Sequence, residues 1–156
     1  MPVTPGKGQA RMLGLDVGER RIGIAVSQGR LAVPLAIVEH ESRAADLERI
    51  AAIAREQEAQ AVIVGLPITM SGEEGEQARR TRRFGDALAR RVGVPIIYHD
   101  ERMSTLQVVG AAGARVTGAG GRPGKRGRKA RIDDLAAAVI LQSYLDTLEP
   151  PREQPS

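Results

Sequence analysis

Met12-Leu13-Gly14-Leu15-Asp16-Val17-Gly18-Glu19-Arg20-Arg21-Ile22-Gly23-Ile24-Ala25-Val26-Ser27 reads as two short apolar runs joined by a polar turn. Met12 to Asp16 and Ile22 to Ser27 have the composition of strands, and Val17 to Arg21 carries the connection, so the spacing predicts a hairpin with Gly18 taking the turn. A single acid, Asp16, stands where the first run ends, between Gly14 and Gly18. A carboxylate at the end of a buried-type strand is costly unless a metal or cationic group faces it. The flanking glycines allow a backbone or ligand to come close. A turn aspartate bonded to its own loop fits the same pentapeptide, so the segment alone leaves both readings open.

Outward from this hairpin, Pro34 to Glu39 is a third apolar run that completes an antiparallel meander. Ser42 is placed to cap a helix in which Leu47, Ile50, Ala51 and Ala54 recur at helical spacing, with Arg49, Arg55 and Glu56 opposite. Ala61 to Gly65 is unbroken and apolar, as in a parallel strand covered on both sides. A polar loop, Pro67 to Gly72, leads to a helix from about Glu73 to Arg91, whose acidic start and basic end suit the helix dipole. Val94 to Tyr98 makes a fifth strand, Ser104 to Ala112 a short helix and Asp133 to Leu148 a closing helix. A meander followed by right-handed crossovers gives an α/β fold: a mixed five-stranded sheet, antiparallel then parallel, with helices packed on both faces. The expected domain spans residues 12–148, with 1–11 and 149–156 as flexible tails.

A chain of 156 residues has room for one compact domain and hardly for two. The formal charge of +4 and a pI near 10.1 point to a polyanionic partner such as nucleic acid. The absence of cysteine excludes thiolate zinc sites, disulfides and a cysteine nucleophile. No apolar run approaches the roughly 20 residues that span a bilayer, and Met1 to Arg11 lack the apolar core of a secretory signal, so a cytoplasmic protein without membrane contact is expected. The only aromatic residues are Phe84, Tyr98 and Tyr144, too few for a base-stacking platform. A bound nucleic acid is therefore held by its phosphates and its shape.

Two further acidic stretches stand at element ends. Asp100 and Glu101 follow the fifth strand, and ligands gather at the C-terminal ends of parallel strands in an open α/β sheet. Pairing with Arg102, or capping the helix near Ser104, is the competing reading of these two acids. Asp133 and Asp134 open the closing helix, where the dipole favours any acid. They lie on opposite borders of the stripe Ala137, Ile140, Leu141, Tyr144, Leu145 and Leu148, so periodicity does not choose between them. A structural role is expected for His99, and His40 has no chemical context.

Four segments, in order, carry a resemblance. They are Leu13 to Val26, Val64-Gly65-Leu66-Pro67, Asp100-Glu101-Arg102-Met103-Ser104-Thr105, and Ile132 to Leu141 beginning Ile-Asp-Asp-Leu-Ala. Together they closely resemble the YqgF family, also called RuvX. The resemblance implies a ribonuclease H-like fold and a metal-dependent nuclease, with maturation of the pre-16S ribosomal RNA as the ascribed role and Holliday junction resolution as the earlier one. It matches Asp16 to the first-strand acid, Glu101 to the acid of the Asp-Glu-Arg motif and Asp133 to the acid before the Ala-rich helix. These three are the implied catalytic residues and, with the neighbouring Asp134, the implied metal ligands. Mg2+ or Mn2+ is the implied cofactor, since hard cations prefer oxygen donors and relieve the repulsion among gathered carboxylates. Relatives often carry an Asn and an Asp-Gly pair after the Gly-Leu-Pro segment. Here the loop reads Ile68-Thr69-Met70-Ser71-Gly72, so no substrate contact is carried over from it.

Substrate grip falls to basic side chains near the acids. Arg21 and Arg102 adjoin them, placed either to bind phosphate or to pair with the carboxylates, and Arg122, Lys125, Arg126, Arg128 and Lys129 form a glycine-rich cationic loop before Asp133 that either folds over phosphates or is a solvated linker. Arg79, Arg80, Arg82 and Arg83 read as a solvated helix face. Actin-like ATPases and sugar kinases also carry a Gly-x-Asp-x-Gly hairpin, but they enclose ATP between two lobes and this chain supplies one. A Holliday junction resolvase and a non-catalytic RNA-binding or ribosome-binding factor remain as alternatives, with a monomer or homodimer as the assembly.

Overall fold

The computed structural model describes residues 10–103 and 126–148, with side chains of the latter segment from residue 135 onward. The expected hairpin forms from β1 (Met12–Val17) and β2 (Arg21–Gln28), paired antiparallel with Leu15 opposite Ile24 and Asp16 opposite Gly23. Gly18 turns the chain without a positive φ. Its N–H donates to the Arg21 carbonyl at 3.0 Å, and a Cβ at residue 18 would stand 2.8 Å from that oxygen. Lack of a side chain, rather than left-handed freedom, is what this turn requires.

β3 (Leu31–Glu39) starts earlier than its apolar run suggested, because Gly29 at φ +66° closes a tight turn that places Gln28 opposite Leu31. Pro34, which has no N–H for a ladder, is tolerated because β3 is an edge strand with a bulge in its pairing to β2. Helix α1 (Arg43–Glu56) begins behind Ser42, whose hydroxyl accepts from the Ala45 N–H at 3.1 Å as expected of the cap. β4 (Ala61–Leu66), buried throughout, then lies parallel to β1.

Helix α2 (Glu76–Val92) starts later than the acidic run predicted. Glu73 is held in a turn by Thr69, and Glu74 is drawn off by Arg82, whose guanidinium donates to both its oxygens at 2.8 and 2.6 Å. Gly93, at φ +70°, ends the helix. β5 (Ile96–Asp100) is displaced towards the C-terminus from its predicted span, since Val94 and Pro95 serve as the link out of α2. The sheet order is β3-β2-β1-β4-β5, with β1, β4 and β5 mutually parallel.

Alternation along the strands divides two cores. Leu13, Leu15, Ile24, Val62 and Val64 face α1 and α2, meeting Leu47, Ile50, Phe84 and Leu88. Ala25 and Ile63 face helix α3 (Arg126–Leu148), meeting Ala137, Ile140, Leu141 and Leu145. α3 seats close to the sheet because Gly14 and Gly65 present no side chain to it.

The closing helix departs from expectation at its start. It begins at Arg126, so Asp133 and Asp134 lie inside the helix and not at its N-terminus, and the dipole account of these acids does not apply. Arg126, Arg128 and Lys129 are likewise helical, not part of a loop, since Arg, Lys and Ala sustain helix well. Arg122 and Lys125, and the short helix expected from Ser104 to Ala112, lie outside the described residues. No helix among the described residues is long and apolar enough to cross a membrane.

Candidate active site

Asp16 is the third residue of the β1 face that carries Met12 and Gly14 towards α3, and it stands at the C-terminal end of its strand. Leu15 pairs with Val64, which puts Asp16 level with Gly65 on β4; Gly65 in turn pairs with His99 on β5. Glu101 follows Asp100, the last residue of β5, and begins a helical turn. Asp16 and Glu101 thus rise from the two strands that flank β4, with Gly65 as the bare floor between them. A Cβ on Gly65 would lie 2.9 Å from Glu101 Oε2 and 2.5 Å from Ile140 Cδ1.

The two neighbouring acids have opposite environments. Arg102 forks onto Asp100, its Nε at 3.1 Å and its Nη2 at 2.8 Å from Oδ2, and its backbone N–H donates to Oδ1 at 2.9 Å. These bonds hold the Asp100 carboxyl below the ordinary carboxylate range. Glu101 is pushed up to about 7, first by burial, then by the charge of Asp16, then by that of Asp100. The register places these two predicted site residues on the strands either side of Gly65, at the same end of the sheet.

Of the other predicted residues, Arg102 is engaged by Asp100 and not by Glu101, and Arg21 lies 3.8 Å from Glu39 across the β2–β3 ladder. The side chains of Asp133, Asp134, Arg126, Arg128 and Lys129 lie outside those described. Among the described residues no third acid joins Asp16 and Glu101 in a metal-binding cluster. His99 is structural, as expected: its Nε2 is 2.8 Å from Ser143 Oγ, its ring meets Tyr144 edge-on, and burial lowers its pKa. His40, without context in the sequence, has one in the fold. Its Nδ1 is 2.6 Å from Oδ2 of Asp46, a carboxylate only 3% exposed that also accepts from the Glu41 N–H.

Sequence reading missed Gly65 as part of the site, and the signal available was a glycine inside an otherwise apolar strand. The atypical loop after it is well tied. Thr69 Oγ1 bonds with Glu73 at both N and O, Ile68 bridges to Glu74, and a Cβ on Gly72, at φ +91°, would stand 3.8 Å from Arg102 Nη1.

A family profile described as RuvX, Holliday junction resolvase, matches residues 10–147. The chain belongs to the RuvX family. A relative from an Anaeromyxobacter species, named as a candidate pre-16S rRNA nuclease, is 46% identical over 138 residues, covering 87% of this chain and 96% of its own. One of the same name from Chloroflexus aggregans is 42% identical over 142 residues, covering 90% and 96%. Among solved structures, Thermus thermophilus RuvC in complex with Holliday junction substrate superposes with a TM-score of 0.60 at 16% identity, over 89% of this chain and 96% of that one. At that identity the likeness is one of fold: this RuvX chain has the ribonuclease H-like fold.

Proposed function

We propose that this RuvX protein is a divalent-metal-dependent nuclease that hydrolyses phosphodiester bonds of nucleic acid, with a pre-16S ribosomal RNA as its substrate. The observation that carries this reading is the placement of Asp16 and Glu101 at the C-terminal ends of the two strands that flank β4, on either side of the bare Gly65, where burial and then the Asp16 charge push the Glu101 carboxyl up. Two carboxylates on the strands either side of a glycine floor make an all-oxygen donor set suited to a hard cation. The residues present therefore fit Mg2+ or Mn2+. Asp16 and Glu101 would hold the ion, with Asp133 as the third ligand and Asp134 beside it. A divalent cation bound there would supply positive charge to phosphate oxygens and make a water molecule more acidic.

The course of α3 supports the part given to Asp133. Gln142 fastens the helix to the β2–β3 turn through the Arg30 carbonyl and the Ala32 N–H, at the end of the sheet remote from Asp16. A Cβ on Gly14 would meet Ala137 O at 3.1 Å, so one helical turn earlier the backbone heads towards the end where Asp16 lies. In this reading Arg21, Arg102, Arg122, Lys125, Arg126, Arg128 and Lys129 contact substrate phosphates, and Arg102 also keeps Asp100 from competing with Glu101 for the ion. The relatives' names favour ribosomal RNA, and the family description favours a branched DNA substrate as the second reading.

Purified protein is incubated with a ribosomal precursor RNA and with a four-way DNA junction, in Mg2+, Mn2+ or chelator. Cleavage of the RNA that needs metal, and that falls at least about 100-fold in Asp16→Asn and Glu101→Gln while gel-shift binding persists, is expected. Cleavage of the junction alone selects the second reading. Inactivity of wild type on both, with RNA binding intact, overturns the nuclease and leaves a binding factor.

A further inference from the structure

We propose that Gly65 is a positioning residue for Glu101, an inference that rests on the nuclease reading above. β4 lies between the strands that bear the two acids, and on its α3 side Ile63 is followed by Gly65. A side chain at that position would fill the floor of the site. The collisions it would meet are of a particular kind. The Cβ would stand 2.5 Å from Ile140 Cδ1, 2.9 Å from Glu101 Oε2 and 3.1 Å from Glu101 Cγ, and the first two are far ends of flexible side chains. The fold can absorb such a contact, because the ends of Ile140 and Glu101 can turn aside without moving the backbone. Glu101 then leaves the place it shares with Asp16.

Gly14, on the same face of β1, makes the contrast. A Cβ there would meet Leu141 Cβ at 2.6 Å, Ala137 O at 3.1 Å and Leu141 Cα at 3.4 Å, all on or next to the helix backbone. Gly14 therefore sets the seat of α3, while Gly65 sets the position of a carboxylate.

The test separates the two contacts of Gly65. Ile140→Val removes the methyl that a Cβ would strike, so Gly65→Ala/Ile140→Val isolates the contact with Glu101. Each variant is compared with wild type for Mn2+ binding by calorimetry, for kcat and KM on the RNA that wild type cleaves, and for urea unfolding. The double variant is expected to unfold at the same urea concentration as Ile140→Val. Its Mn2+ affinity and kcat are expected to fall about tenfold or more, with KM for RNA unchanged. In a Glu101→Gln background the Gly65→Ala change is expected to cost no further Mn2+ affinity, whereas a merely structural role would add a second loss. If the valine variant does not fold, Gly65→Ala/Ile140→Ala, with more room beneath the helix, is read in the same way. A double variant that binds Mn2+ and cleaves like Ile140→Val overturns the inference alone. A wild type that neither binds Mn2+ nor cleaves overturns the nuclease reading beneath it.

Discussion

Asp100 and Glu101 are adjacent acids whose protonation diverges because one is answered by a guanidinium while the other is buried and faces a carboxylate. For Glu101 the sign is unfavourable to the metal-free fold. Its folded pKa lies above the ordinary 4.5, so as pH rises from about 4.5 to 7 the unfolded chain releases a proton that the folded chain keeps, and stability falls. Glu101→Gln, measured by urea unfolding in chelator, is expected to raise stability at pH 8 by about 1–2 kcal/mol, once screening of this partly exposed group is allowed for, and to change little at pH 4. Asp100 has the opposite sign, and its contribution is lost as pH falls through its depressed pKa. Composition and periodicity placed both acids at a strand end without dividing their roles, and only the family resemblance singled out Glu101. That division depends on Arg102 reaching back to Asp100 and on the sheet face to which Glu101 turns, neither of which has a periodic signature.

At the scale of elements, the close seat of α3 on β1 predicts that Gly14→Ala destabilises by about 1–3 kcal/mol, since it drives the helix backbone from the sheet. Asp46→Ala, on α1 and across the sheet from the site, is expected to cost about 1–3 kcal/mol in the same assay by orphaning His40 and the Glu41 N–H, and to leave Mn2+ affinity unchanged. The strands near the site were legible because β1, β2 and β4 are apolar runs between turn residues, and α1 because it carries both a stripe and a serine cap. The start of α3 was not. Arg126 to Arg131 is basic and has no apolar period, so it reads as loop although its residues other than Gly127 are good helix formers. The shifted starts of β3, α2 and β5 follow from single contacts or linkers that composition does not report, such as the Glu74–Arg82 pair and the Val94-Pro95 link.

For the molecule as a whole, the sheet order makes β1, β4 and β5 a parallel block whose C-terminal edge collects Asp16, Glu101 and the tied loop after β4. Folding thus forces two carboxylates together, and a cation that relieves them should stabilise the fold through linkage. Saturating Mg2+, at about 100 times its Kd, is expected to add about 2.7 kcal/mol to wild type, seen as a higher Tm. The gain should be larger at pH 8 than at pH 5.5 and absent in Asp16→Asn. The measurement that bears most directly on the central claim is an anomalous difference map from crystals soaked in Mn2+. A peak within coordination distance, about 2.0–2.6 Å, of both Asp16 and Glu101 carboxylates is predicted. Density for Mn2+ elsewhere with none between these two residues would contradict the account.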